Sequence, residues 1–154
     1  MELVSKDQLE QQAEINDVLR KAEDMHGHLG PFLALGVRVS LAGMRNLETK
    51  EGNQQLYAAA ELEYKVPFSC MLDGIQAVTK CTVGNKRLTW KESKKYKATF
   101  TLKDNGRVMV SVKPDLIAEL RRRLEKKPSD AIVRQLASDI ATRPESRLFV
   151  ITRK

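Results

Sequence analysis

The chain has 154 residues, of which 42% are hydrophobic, and a net charge of +7 at neutral pH. This length suits one domain with a buried core, and no apolar run approaches the roughly 20 residues of a membrane-spanning helix. Two cysteines are too few to ligate an iron–sulfur cluster by themselves, and the glycine-rich phosphate-binding patterns and the HExxH pattern are absent. The first seven residues lack the form of a secretory signal, so we expect a cytoplasmic protein.

In the first half of the chain, apolar residues at near-helical spacing predict helices at 6–24 and 31–46. Pro31 suits the first turn of the second helix, because the N–H that proline lacks has no helical partner there. Alternating residues at 55–65 predict a strand, and apolar residues after Ser69 predict a third helix at 70–80.

In the second half, Asp104-Asn105-Gly106 has the composition of a hairpin turn between two strands. The predicted elements are two strands, two helices and a last strand, near 87–103, 106–113, 114–126, 130–142 and 147–152. This order predicts an α+β fold, with a mostly antiparallel sheet packed with helices. No break in composition divides the chain, so we expect a single domain over residues 1–154.

The charge is distributed unevenly along the chain. Residues 1–79 carry 7 Lys/Arg and 12 Asp/Glu, a net charge of −5, whereas residues 80–154 carry 20 Lys/Arg and 8 Asp/Glu, a net charge of +12. A basic half can bind a polyanion, or it can lie against the acidic half or against a second copy. Trp90 and Tyr96 are the only aromatic residues beside or among the lysines of 91–97. Two aromatic side chains are few for stacking on bases, so nucleic-acid binding is not expected.

The chain's two histidines, His26 and His28, flank Gly27 between the first two predicted helices. Imidazole is a common ligand of transition metals and the usual proton-transfer group near neutral pH. In an extended segment, side chains at i and i+2 point the same way, so both rings can converge on one site. Two ligands do not complete a metal site, and the pair also fits one capping and one surface histidine.

Three polar side chains share one face of the third predicted helix, at Cys70, Asp73 and Gln76. The dipole of the helix favours a thiolate at Cys70 in the first turn. Cys70 and Asp73 can supply a thiolate ligand and a carboxylate, or they can be a buried structural cysteine and a first-turn partner of the dipole. Cys81 follows the helix directly, and its ordinary role there is that of a small buried apolar residue. A disulfide between Cys70 and Cys81 is allowed but not needed.

Two segments resemble a known family, the FmdE family of formylmethanofuran dehydrogenase proteins. Residues 26–38, HGHLGPFLALGVR, are similar to the family signature His-Gly-His-x-Cys-Pro-Gly-x-Ala-x-Gly-x-Arg. Residues 70–85, CMLDGIQAVTKCTVGN, resemble the second motif of that family, Cys-x-x-Asp-Ala/Gly-Ile-Gln followed by Gly-Cys-Thr-x-Gly-Lys/Asn. Two motifs in the same order are far more specific than either alone, and the resemblance is strongest over about residues 22–88.

The resemblance implies an α+β core, commonly dimeric, with a metal-binding cleft built from the two motifs. It implies His26, His28 and Cys70 as site residues. It also implies contacts to the ligand or to the residues around the metal, from Arg38, Asp73, Gln76, Cys81 and Thr82. We therefore expect His26, His28 and Cys70 to bind one divalent metal, for which zinc is expected, and Cys70 and Asp73 to be the catalytic residues.

The chain departs from the family pattern at several positions. Gly30 stands where the family usually has cysteine, Phe32 where it has glycine, and Lys80 replaces the glycine before Cys81. Many relatives carry a cysteine-rich C-terminal zinc module, and we expect the core domain without it. The family is named after a molybdenum or tungsten enzyme that reduces carbon dioxide to a formyl group on methanofuran, and this chain has no sequence that could hold its pterin or clusters.

The sequence therefore supports two hypotheses. The first is a cytoplasmic metal-binding protein with a His/His/Cys zinc site in a cleft and a possible catalytic role. The alternative is a non-catalytic accessory or regulatory subunit of a molybdenum or tungsten pterin oxidoreductase. In both cases a homodimer is the expected state, and no membrane association is expected.

Overall fold

A computed structural model describes residues 3–154 of the chain. Its regular elements are α1 Lys6–His26, α2 Pro31–Leu47, β1 Leu56–Leu62, α3 Cys70–Thr79, β2 Leu88–Glu92, β3 Lys97–Leu102, β4 Gly106–Val112, α4 Pro114–Glu125, α5 Asp130–Thr142 and β5 Phe149–Arg153. The prediction of an α+β fold is confirmed. Over residues 3–154, no helix has both the length and the apolar character needed to cross a bilayer.

The five strands form one sheet in the order β2-β1-β3-β4-β5. β1 pairs with β3, β3 with β4, and β4 with β5, all antiparallel, while β1 and β2 are parallel. Buried residues alternate with half-buried or exposed ones along β1, β3 and β4, so one face of the sheet is covered. Helix α2 packs on β3 and β4 as well as on α3 and α5, which makes it the central helix of the core.

The strand predicted at 87–103 is wrong in its extent, because it is two strands on opposite sides of β1. Ala58 of β1 pairs with Leu88 of β2 on one side and with Phe100 of β3 on the other. Between them the chain turns at Ser93, whose N–H donates to the Leu62 carbonyl and whose hydroxyl accepts from the Lys95 N–H. This turn contains neither glycine nor proline, so it carried no strong turn signal.

Helices α2 and α3 touch backbone to backbone through two glycines. A Cβ on Gly36 would lie 2.2 Å from the Met71 carbonyl oxygen, and one on Gly74 would lie 2.3 Å from the Leu33 carbonyl oxygen. Both distances are far inside van der Waals contact, so only glycine allows this approach. The contact brings the start of α3, which carries Cys70, close to the start of α2 and the histidines before it.

Candidate metal centre

The two histidines lie at a sharp corner between α1 and α2. His26 is the last residue of α1, and Gly27, with φ +89°, ends that helix by donating its N–H to the Glu23 carbonyl at 2.7 Å. The positive φ is a conformation that glycine adopts at no steric cost. The segment around the histidines is therefore not extended, since His26 is helical and Gly27 is left-handed.

The structure nevertheless places the two sequence motifs around one small cavity. His26, His28 and Cys70 all line a cavity of about 50 Å³. The rest of its wall is apolar or backbone, from Gly30, Pro31, Phe32, Leu33, Pro67, Leu124 and Val133. Among residues 3–154, no three His, Cys, Asp or Glu side chains stand close enough together to hold a metal ion, so the ligand set stays a prediction.

His26 makes the most specific polar contact of the site. Its Nδ1 lies 2.5 Å from Oδ2 of Asp73, and only 17% of the His26 side chain is exposed. When a carboxylate accepts this hydrogen bond, Nδ1 carries the proton and Nε2 has a free lone pair. The contact joins the end of α1 to the first turn of α3 and orients the His26 ring.

Cys70 is the first residue of α3 and is partly buried. Burial raises the pKa of its thiol, and the negative charge of Asp73 raises it further. Burial and the neighbouring carboxylate therefore act against the helix dipole, which favours a thiolate at this position. Cys70 and Cys81 are both free cysteines.

Arg38 lies in the middle of α2 and outside the lining of the small cavity. It is 6% exposed, and its Nη1 donates to the carbonyls of Ile140, Ala141 and Arg143 at 2.8, 3.1 and 2.8 Å. Burial lowers the pKa of its guanidinium. These bonds satisfy carbonyls that α5 leaves free at its C-terminus, and a ligand contact by Arg38 stays a prediction.

Gln76, Cys81 and Thr82 also lie outside the lining of the cavity. Cys81 is fully buried, and its thiol donates to the Leu56 carbonyl at 3.2 Å. The Thr82 N–H donates to the Asn85 side chain, while the Thr82 hydroxyl accepts from the Asn85 N–H, so the turn closes on itself. The structure does not bring these residues to the histidines, and their predicted ligand contacts stay predictions.

Sequence reasoning missed the aliphatic wall of the cavity. Leu124 of α4 and Val133 of α5 line it, and apolar residues on amphipathic helices carry no signal that separates this role from ordinary packing. Position 30 faces the same space. A Cβ on Gly30 would lie 3.5 Å from Val133 Cγ1 and 3.7 Å from His28 Cε1, which is contact without a clash.

An aromatic and charged network supports the floor of the cavity. The Phe32 ring packs on Phe68 and Tyr96, with centroids 5.1 and 6.0 Å away. The Tyr96 hydroxyl donates to Glu63 at 2.5 Å, and Arg121 binds the same carboxylate while its guanidinium lies over the Phe68 ring. The hydrogen bond from Tyr96, followed by that from Arg121, lowers the pKa of Glu63.

The fold and the cavity define a small α+β protein whose two histidines and one thiol line a common pocket. The family model described as "FmdE, Molybdenum formylmethanofuran dehydrogenase operon" matches residues 25–150, so this chain belongs to the FmdE family.

The chain is also similar to a curated protein of Archaeoglobus fulgidus named "Probable S-adenosyl-L-methionine-binding protein". The two are 35% identical over 79 residues, which are 51% of this chain and 22% of the relative. The chain therefore matches about a fifth of the length of that relative.

Proposed function

We propose that this FmdE-family protein binds one divalent metal, zinc for preference, through His26, His28 and Cys70. The observation that carries the proposal is that these three side chains, from two distant segments, line one cavity of about 50 Å³. A cavity needs roughly 10–15 Å³ of this volume to hold one water, so the cavity has room for an ion with one small exogenous ligand. Nitrogen and sulfur donors are those that zinc prefers.

The contact between His26 and Asp73 supports this assignment. Metal-binding histidines usually donate the second ring N–H to a carboxylate or carbonyl, which sets the tautomer and the ring orientation. Asp73 stands 2.5 Å from Nδ1 of His26, so Nε2 is the nitrogen available to a metal. Asp73 is therefore proposed to orient the ligand and to exchange a proton at the site.

Three protein ligands leave a fourth position open, which is the pattern of catalytic zinc sites. A metal held there supplies Lewis acidity and lowers the pKa of a bound water. The Cys70 thiol must lose its proton to bind a metal. Because burial raises the pKa of this thiol, a metal would have to compete with the proton for the sulfur. We propose a catalytic role for Cys70 and Asp73 on this basis.

The test is metal analysis of untagged protein expressed with added metal. We expect about one zinc per chain, retained in Cys81→Ala and lost in Cys70→Ala and His26→Ala. Cys81→Ala is the matched control, because it removes the other thiol, which donates to a backbone carbonyl outside the cavity. Metal-free wild-type protein, or equal metal in Cys70→Ala and Cys81→Ala, would refute the site.

A second candidate is an accessory or regulatory subunit of a molybdenum or tungsten pterin oxidoreductase. The family description, which names a formylmethanofuran dehydrogenase operon, favours it, as does Gly30 in place of the signature cysteine. Capture of the untagged chain with antibody from its native cells tests this role. Recovery of a large oxidoreductase supports the accessory role, and recovery of the chain alone contradicts it.

The S-adenosyl-L-methionine in the name of the archaeal relative does not suit the histidine cavity. Pockets for ligands of that class measure roughly 300–1,000 Å³, whereas this cavity measures about 50 Å³.

We further propose that the protein works in the cytoplasm as a homodimer. Two free cysteines agree with a reducing compartment. Fractionation of native cells tests the location, and sedimentation equilibrium tests the dimer.

A further inference from the structure

A second concave surface of the protein shares no lining residue with the histidine cavity. It is an open groove of about 1070 Å³ with α1 on one side. The other side is formed mainly by α2 from Arg38 to Arg45, residues 49–51 and residues 142–145. We call it the α1 groove. Pockets that bind small organic molecules measure roughly 300–1,000 Å³, so the α1 groove has room for such a ligand.

The α1 groove contains one buried cation, the guanidinium of Arg38. Arg38 lines the groove, although only 6% of the residue is exposed. Its Nη1 donates to the carbonyls at the end of α5, whereas its Nε and Nη2 donate to no acceptor among residues 3–154. In that part of the chain, Ser40 Oγ is the one side-chain polar atom sealed from solvent without a partner. Nε and Nη2 of Arg38 therefore reach solvent through the groove.

No carboxylate of residues 3–154 pairs with Arg38. The charge of Glu145 acts on Arg38 through space, but the Glu145 carboxylate accepts two hydrogen bonds from Arg45, at 2.6 and 2.7 Å. Glu14 and Glu51 also line the groove, but both are exposed, so water solvates their charges. Burying a charge without a partner is costly, so this arrangement favours an anion that reaches Arg38 from the groove.

The free side of the Arg38 guanidinium selects the class of anion. The Nε–H and one Nη2–H of an arginine point the same way, and this fork matches the two oxygens of a carboxylate. The cations of Arg38 and Arg45 stand against the single carboxylate of Glu145, which leaves one surplus positive charge. A monoanion balances this surplus, whereas a phosphate group carries close to two negative charges at neutral pH and exceeds it.

The groove also offers an apolar surface beside Arg38. Leu41 follows Arg38 by three residues on α2, so the two side chains share one face of that helix. Ile15 and Val18 line the groove from α1. All three apolar side chains are half-buried, so an apolar chain attached to the carboxylate would remove them further from water.

We propose that the α1 groove binds a small organic monocarboxylate. Its carboxylate accepts hydrogen bonds from Nε and Nη2 of Arg38, and its apolar chain lies on Leu41, Ile15 and Val18. This site differs from the ligand contact that the resemblance implied for Arg38 at the metal, because the α1 groove and the histidine cavity share no residue. The two sites can therefore be tested separately.

The experiment is a titration of the ¹⁵N-labelled full chain followed by NMR, in which the Arg38 Nε–H resonance reports on the guanidinium directly. The probe is hexanoate, and hexanamide has nearly the same shape without the charge. We expect hexanoate to shift this resonance saturably at millimolar concentrations and to bind at least about tenfold more tightly than hexanamide. Acetate, which lacks the apolar chain, should also bind at least about tenfold more weakly than hexanoate.

Two variants locate the binding. Gln12 lies beside Arg38, because its Nε2 donates to the Ala141 carbonyl at 3.0 Å and Arg38 donates to the same oxygen. Gln12→Glu places a carboxylate next to the guanidinium and should weaken hexanoate binding at least about tenfold. Gln54→Glu is the matched control, because it makes the same change at an exposed position outside the groove, and it should bind hexanoate like wild type.

The wild-type protein alone can refute the site. Equal binding of hexanoate and hexanamide, or an Arg38 Nε–H resonance that no probe shifts, would overturn the proposal. Tighter binding of inorganic phosphate than of hexanoate would also overturn it, since the groove would then take a different anion. Equal effects of Gln12→Glu and Gln54→Glu would contradict the assigned position. The amide resonances of the same spectra report whether each variant is folded, and the zinc content of Gln12→Glu should equal that of wild type.

Discussion

Replacing Gly74 by alanine tests the helix contact on which the candidate site depends. The new Cβ would lie 2.3 Å from the Leu33 carbonyl oxygen, 2.8 Å from the Val37 nitrogen and 2.9 Å from the Gly36 Cα. All three are backbone atoms, so no side chain can move aside and α3 must shift away from α2.

The size of the effect follows from two opposing contributions. Overpacking a tight contact costs about 3 kcal/mol at the upper end of its usual range, and exchanging glycine for alanine inside a helix returns about 1 kcal/mol. The expected loss in the free energy of unfolding is therefore about 2 kcal/mol, or about 4–8 °C in melting temperature for a domain of this size. The same shift moves Cys70 from His26, so the zinc content should fall.

Urea denaturation and metal analysis measure both consequences. Gly84→Ala is the matched control, because a Cβ there would meet only the Thr82 hydroxyl at 3.8 Å, and its stability should equal that of wild type. If Gly74→Ala unfolds at the urea concentration of wild type, the backbone contact between α2 and α3 is not as described.

Three further predictions concern the residues around the cavity. Gly30→Cys adds a thiol beside His28, because a Cβ at this position lies 3.7 Å from the His28 ring, so zinc affinity in chelator competition should rise at least about tenfold. Gly30→Ala adds no donor and should leave the affinity unchanged. A similar gain in both variants would contradict the reasoning. Asp73→Asn removes the carboxylate that orients His26 and should weaken zinc binding roughly 10–100-fold; unchanged affinity would show that the contact does not orient a ligand. Tyr96→Phe removes the hydrogen bond that lowers the pKa of Glu63 and should cost roughly 1 kcal/mol at pH 7 in urea denaturation. A lowered carboxyl pKa stabilises the fold above the unfolded-state value of 4.5, and this contribution disappears as the pH falls through the folded-state value. The difference between Tyr96→Phe and wild type should therefore shrink in acid, and a difference independent of pH would assign the loss to packing.

Local signals in the sequence predicted most elements of the fold. Pro31 begins α2, and Pro114 begins α4. The hairpin at 104–106 joins β3 to β4 as predicted, because aspartate and glycine tolerate the positive φ that Asp104 and Gly106 adopt. Each of these signals acts within a few residues, so the sequence carries it directly.

The division between β2 and β3 was not predictable in the same way. Its turn at Ser93 is held by a hydrogen bond to the Leu62 carbonyl, a partner in β1 that becomes available only once the sheet has formed. Arg38 illustrates the same limit at the candidate site. Its position in the family motif suggested a ligand contact, whereas its bonds go to the carbonyls at the end of α5, more than a hundred residues away.

The sequence by itself determined which candidate donors the chain carries, because two histidines and two thiols stand at fixed positions in two motifs. It also determined most of the order of helices and strands, through short-range periodicity and turn chemistry. Only the tertiary structure decided that His26 meets Asp73 and that Leu124 and Val133 line the cavity. The reason is that these contacts depend on how closely whole helices pack. Between α2 and α3 that closeness is set by the backbone contact through Gly36 and Gly74, which no local pattern in the sequence encodes.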